Sequence, residues 1–274
     1  MAIQSIKLKP GINREGTRYT TEGGYYDGDK IRFRQGTPEK IGGWTQISTS
    51  TFEGVCRSLH NWVTLGGQNL IGVGTHLKFY ISNVGNYNDV TPIRATVSLS
   101  NPFTTVSGSA VVTVLDSNGG YQDGDYVTFS NASAVGGLTI DGEFVVSLSV
   151  TTAANSYSIT ASSNATSSAT GGGTVSAAYQ INVGNPFAVP IEGWGASSWG
   201  SGAWNVGESS TTAIRFFSQS NFGEDLIFGN NGGSIFYWDA TGSVTTRAVL
   251  LSTLSGASDV PVAQNLILVS DISR

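Results

Sequence analysis

Few side chains in this chain have the types and spacing that chemistry needs. The only histidines are His60 and His76, and the only cysteine is Cys56. No H-E-x-x-H, Cys/His cluster or G-x-S-x-G is present, so hydrolytic zinc and activated-serine chemistry lack their residue sets. Both histidines therefore read as structural or surface residues. Cys56 lies in the apolar-rich stretch Phe52 to Leu59 with no His/Asp pattern beside it. It reads as a small buried hydrophobe, and a single cysteine forms no internal disulfide. Asp27/Asp29 and Asp123/Asp125 have the D-x-D spacing of calcium ligands. The further oxygens and terminal Glu of a calcium loop are missing, which favours turn chemistry. Glu22, Asp27, Asp29 and Glu39 form a loose acidic set of the residue types a glycosidase pair needs, but spacing along a β-chain does not fix the separation of two carboxylates. Catalytic residues, cofactors and metals are all read as none.

Residues suited to binding are easier to find. Arg14, Arg18, Lys30, Arg32, Arg34 and Lys40 give the first 44 residues a positive face on an otherwise acidic chain. That face is either a solvated strand surface or an interface to an acidic neighbour. Trp194, Trp199 and Trp204 stand five apart among glycines, a spacing that fits neither the helix nor the strand period. They read as anchors to a surface or a neighbouring subunit, and Trp44 joins them as a candidate. The assembly-interface candidates are thus Arg14, Arg18, Arg32, Arg34, Trp44, Trp194, Trp199 and Trp204.

The elements that must position these residues are strands. Apolar residues almost never recur at i, i+3, i+4, i+7, whereas alternation and turn signals recur throughout. Lys30 to Arg34 predicts a strand with Ile31 and Phe33 inward and Lys30, Arg32 and Arg34 outward. YYDGDKIRF (25–33) is echoed by YQDGDYVTF (121–129), each an Asp-Gly turn entering a strand. LIGVGTHLKFYIS (70–82) and LIFGNNGGSIFYWDA (226–240) share a small-residue strand, a Gly turn and an aromatic strand. A third start begins at Asn265, about 40 residues after the second, near the ~40–45 of a four-stranded propeller blade. Between the first two copies, residues 95–183 are rich in Ser, Thr, Gly and Val with almost no Lys or Arg. They read as an inserted sandwich or barrel, bracketed by Asn101-Pro102-Phe103 and Asn185-Pro186-Phe187. Gly66-Gly67, Gly136-Gly137 and Gly171 to Gly173 read as turns, since no helix follows to present its N-terminus to a phosphate. The expected division is 1–94, N-terminal arm and first propeller strands; 95–183, inserted β-domain; 184–274, Trp/Gly stretch and further blades. An end just after an apolar strand suggests a longer polypeptide.

Composition agrees with an all-β chain, a partial β-propeller with an inserted small β-sandwich or barrel. Charged residues are only 12%, against roughly 25% in average domains. Few charges suit a chain that buries surface in an assembly. A formal charge of −5 argues against a nucleic-acid reader, though not against a channel whose acidic wall keeps DNA from sticking. No apolar run is long enough to span a membrane, and the N-terminus lacks the apolar region of a signal peptide.

The opening NREGTRYTTEGGYYDGDKIRFRQGTPEKIGGW resembles the N-terminus of tail nozzle, or tail-hub, proteins of short-tailed bacteriophages. NFGEDLIFGNNGGSIFYWDA resembles their recurring blade, and WGASSWGSGAW their Trp/Gly stretch. The resemblance covers residues 1–92 and about 184–274. It implies a structural virion protein of the tail, without enzymatic activity, assembled as a homo-oligomeric and commonly hexameric ring. The implied partners are a tail adaptor ring, tail fibres or spikes, and genomic DNA passing through the lumen without sequence-specific contacts. Two rivals stand beside it. One is a carbohydrate-binding adhesin, with Trp194, Trp199 and Trp204 stacking on sugar rings. The other is a hydrolase on a propeller scaffold, whose active site would be gathered from distant loops.

Overall fold

The computed structural model describes residues 8–20, 22–43, 45–46, 48–117, 120–149, 155–186 and 214–270. Among them every regular element is a β-strand, apart from a 3-10 turn at Leu251–Thr253. Among the described residues no helix is long and apolar enough to cross a membrane. The chain divides into two compact units, 1–49 and 50–274.

The first unit is built on one hairpin, β1 (Ile31–Arg34) and β2 (Thr37–Lys40), with Arg34 opposite Thr37. Gln35 and Gly36 close it with φ of 49° and 83°, the paired positive values whose twist matches that of the flanking strands. Ile31 and Phe33 turn to the half-buried side and Arg32 and Arg34 to solvent, as alternation requires. Phe33 meets Tyr25 edge-on at 5.2 Å.

The second unit holds four four-stranded antiparallel sheets. The first is a meander of β3 (Cys56–Val63), β4 (Asn69–Thr75), β5 (Phe79–Asn83) and β6 (Asn86–Asp89) in sequential order. The last is another, of β15 (Phe217–Phe222), β16 (Asp225–Asn230), β17 (Ile235–Trp238) and β18 (Val249–Leu250). The two repeats seen in the sequence are thus the two central strands of each meander.

These meanders pack face to face like successive propeller blades. Ser58 and His60 on β3 bond to Gln219 and Asn221 on β15, both at a sequence offset of 161. A constant offset means that β3 and β15 run parallel. Beyond β15, Ser218 bonds to the backbone of Ile267 and Ser220 to that of Val269, both at an offset of 49. The segment reaching Val269 therefore lies parallel on β15 as β15 lies on β3. This is the radial repetition expected of a propeller, in which inner strands succeed one another in parallel around an axis. Between the blades Phe79 stacks on Phe228 at 3.8 Å and 7°, and Trp62 meets Trp238 edge-on at 6.3 Å. Gly72 and Gly74 permit the approach, because a Cβ would overlap Gln219 at the first and Phe217 at the second.

The inserted domain is a β-sandwich. One sheet has the order β11 (Gly142–Val145), β10 (Tyr126–Ser130), β14 (Thr174–Gln180), β7 (Ile93–Ser100). The other is β12 (Ser156–Thr160), β9 (Val111–Leu115), β8 (Phe103–Thr105), β13 (Ala169–Gly171). Their inner faces enclose a separate core that includes Phe103, Val112, Val127, Phe129, Ile159 and Val175. Entry and exit lie together, since Ile181 N–H donates to the Pro92 carbonyl at 3.0 Å. Asn101-Pro102-Phe103 does not mark the entry. It is the corner between β7 and β8, with Asn101 at φ 47°.

Candidate functional site

The predicted basic face is in place on the first unit, but much of its charge is spent locally. Arg14 pairs with Asp27, and Arg32 Nε with Glu39 Oε1 at 2.5 Å. The Arg18 guanidinium lies 5.7 Å over the Tyr26 ring, and Arg34 is exposed. The bond from Arg14 holds the Asp27 carboxyl below its ordinary range, helped by Gly28 N–H. Two of the four acids once grouped as a glycosidase set are therefore balanced by arginines. Trp44, Trp194, Trp199 and Trp204 lie outside the described residues.

The two Asp-Gly-Asp turns solve different problems. In the first, Lys30 rather than Gly28 takes positive φ, at 57°. In the second, Gly124 does, at 86°. Asp123 there accepts from Leu148 N–H at 2.9 Å. Asp125 is wholly buried and accepts from Gln122 N–H, Asn182 Nδ2 and Val183 N–H at 2.9, 2.6 and 2.8 Å. It also lies 3.7 Å from Arg94. These carboxylates accept from three backbone N–H groups and one side-chain amide, and among the described residues no group of three His, Cys, Asp or Glu side chains is placed to hold a metal ion.

His60 bonds to Asn221 and stacks on Trp62, while His76 Nδ1 accepts from Val55 N–H at 3.0 Å. Burial and the charges of Arg57 and Arg215 keep His76 below its ordinary value. Cys56 is half-buried rather than enclosed, because it begins an edge strand with the exposed Val55 before it. Burial pushes its thiol up, away from the reactive thiolate.

The densest gathering of charge is where the sandwich joins the first blade. Lys78, whose side chain is 5% exposed, approaches Glu53 at 3.3 Å, Asp89 at 3.5 Å and Glu143, which arrives from β11. Arg247, preceding β18 of the second blade, reaches Asp89 at 3.3 Å and Glu143 at 3.6 Å. Gln180 Nε2 adds a bond to Glu143 at 2.5 Å, and the ammonium stands 4.1 Å over the Tyr126 ring. Lys78 thus ties the first blade to the sandwich, and Arg247 brings the second blade to the same two carboxylates. Burial alone would pull Lys78 down; its bond to Glu143 and the charges of Asp89, Glu143 and Glu53 hold it above its ordinary value.

A second polar chain runs inside the sandwich. Tyr157 and Tyr179 share a hydroxyl bond of 2.7 Å, and Tyr179 donates to Asp116 at 2.7 Å. Burial pushes both phenols far up. The Tyr179 hydroxyl thereby gives the buried Asp116 carboxylate a hydrogen-bond donor. None of these networks was read from sequence. The one available signal was the rarity of charge, which makes a Lys between His76-Leu77 and Phe79-Tyr80 conspicuous.

No protein-family model and no curated protein matches the sequence. Among solved structures, the chain is similar to a phage phi92 endosialidase at 18% identity and a TM-score of 0.28. That match covers 77% of this chain and 32% of the other. A likeness at this level transfers no activity.

Proposed function

We propose that the chain is a structural component of a short-tailed phage tail, part of the nozzle ring that continues the DNA channel and scaffolds fibres or spikes. The observation that carries this reading is the parallel succession of β3, β15 and the extended segment reaching Val269, a radial repeat that follows an N-terminal pattern resembling nozzle proteins. Two features support a geometric rather than a catalytic role. Lys78, Arg247, Asp89 and Glu143 lock one sheet to another, and each histidine and the cysteine is engaged with neighbouring polar groups. The ring is homo-oligomeric, and its lumen passes DNA without reading it. Electron microscopy of the purified protein and of assembled tails tests this. A sixfold ring with an axial channel is expected. A monomer or a trimeric spike overturns the reading and moves the carbohydrate-binding adhesin to first place.

A further inference from the structure

We propose that Arg215, with Arg57 beside it, forms a buried site for a small oxyanion bearing two acceptor oxygens, a phosphate or a carboxylate. Arg215 lies just before β15 and is 5% exposed. Its Nη1 donates to the backbone carbonyls of Asn182 and, at 3.5 Å, His76. Its Nε and Nη2 have no partner. Those two N–H groups form one edge of the guanidinium, the fork that receives both oxygens of a carboxylate or phosphate side-on. The part of the side chain built for bidentate recognition is therefore the part left unused.

Among the described residues no carboxylate pairs with Arg215. Asp125 is the one carboxylate whose charge reaches Arg215. It is committed to Arg94 and to three N–H donors. Arg57 adds a second positive charge. Its Nη1 donates to the carbonyls of Asn185 and Arg215 at 2.9 and 3.0 Å, and its Nη2 to that of Pro186. Two guanidinium groups are thus solvated almost entirely by neutral carbonyls. A buried cation left in that state is costly, whereas a bound anion removes the cost and fills the fork. The stem of Arg215 is fixed in place, since a Cβ at Gly184 would overlap its Cβ, Cγ and Cδ, and the head lies 4.8 Å over Phe217. The fork is consequently held in one orientation before any ligand arrives.

The test uses the full chain at constant pH and ionic strength. Phosphate should raise the thermal midpoint in a saturable way, as a ligand of the folded state does, and chloride should not. Arg215→Lys keeps the charge but has no fork, and it should lose most of the difference between the two ions. Acetate in place of phosphate identifies the source. A response to both oxyanions supports a fork open to carboxylates, and a response to phosphate alone supports a phosphate site. Equal midpoints in phosphate and chloride for the wild type, or a full phosphate response in Arg215→Lys, overturn the proposal. Should that variant fail to fold, the phosphorus resonance of millimolar phosphate decides on the wild type alone. Broadening by the protein supports the site, and an unbroadened line overturns it.

Discussion

Lys78 shows how much one residue can carry in a chain with so few charges. Its ammonium is desolvated, which is unfavourable, and is compensated by three carboxylates of which Glu53 is the most exposed and contributes least. Removing the cation would leave Asp89 and Glu143 facing each other with only Arg247 between them. Lys78→Met should therefore destabilise the protein by about 3 kcal/mol, the cost of breaking a buried pair, measured by urea unfolding followed through tryptophan fluorescence. The same site sets an alkaline limit. Lys78 is held above its ordinary 10.5. Tyr80 is pushed from 10.0 to about 12 by burial. A group raised in the folded state stabilises fully below its unfolded value, and that contribution is lost as pH rises through the folded one. Wild-type stability should accordingly stay level towards pH 10 and fall above it, more gently in Lys78→Met. A flat profile to pH 12 would show that the joint does not hold the fold.

At the scale of the element, hairpins were the most legible feature and their turns the least. Alternation placed Ile31 and Phe33 inward because a two-residue period needs only the local sequence. The repeats at 70–82 and 226–240 proved to be equivalent strand pairs for the same reason. The inner-strand stacking could not be read, because Ser58, Gln219 and Ile267 carry no mark of meeting. The sandwich separates the first two by 161 residues. The Asp-Gly-Asp echo was a true strand entry in both copies, yet the left-handed residue differed, since neighbouring contacts rather than the motif choose it. The β5–β6 turn shows a local choice made against propensity. Val84 and Gly85 form its two-residue tip with φ of 50° and 84°, and Val84 is 93% exposed. A β-branched residue is strained in the left-handed region, and asparagine is favoured there before glycine. Val84→Asn should stabilise the protein by about 1 kcal/mol, seen as a higher thermal midpoint. An unchanged or lower midpoint would mean that Val84 packs against something its exposure does not reveal.

For the whole molecule, the two cores and the joint between them explain why so little charge suffices. Each core closes with aromatic and branched side chains, and one ionic cluster, Lys78, Asp89, Glu143 and Arg247, fixes the sandwich to the blades. The charge-poor composition was legible as a sign of buried surface, and part of that surface lies inside the second unit. Among the described residues, apolar side chains are exposed on the flanks of the blades. On β3 the face turned away from the second blade carries Leu59 and Val63, which are 68% and 60% exposed, with Ile71 beside them on β4. At the other flank Leu266 and Leu268 are 68% and 82% exposed, on the segment that has begun to stack on β15. One interface of this kind is already present between the two blades, and a second copy would continue the same parallel succession by setting one flank against the other. Such contacts are heterologous, so they build rings or open chains rather than closed dimers. Sedimentation velocity over a range of concentrations should show association beyond a dimer. Leu59→Ser combined with Val63→Thr should weaken it at least tenfold while leaving the thermal midpoint nearly unchanged, because both side chains already face water. Undiminished association in the double variant would move the contact away from the first blade, to the basic face of β1 or to another surface of the chain.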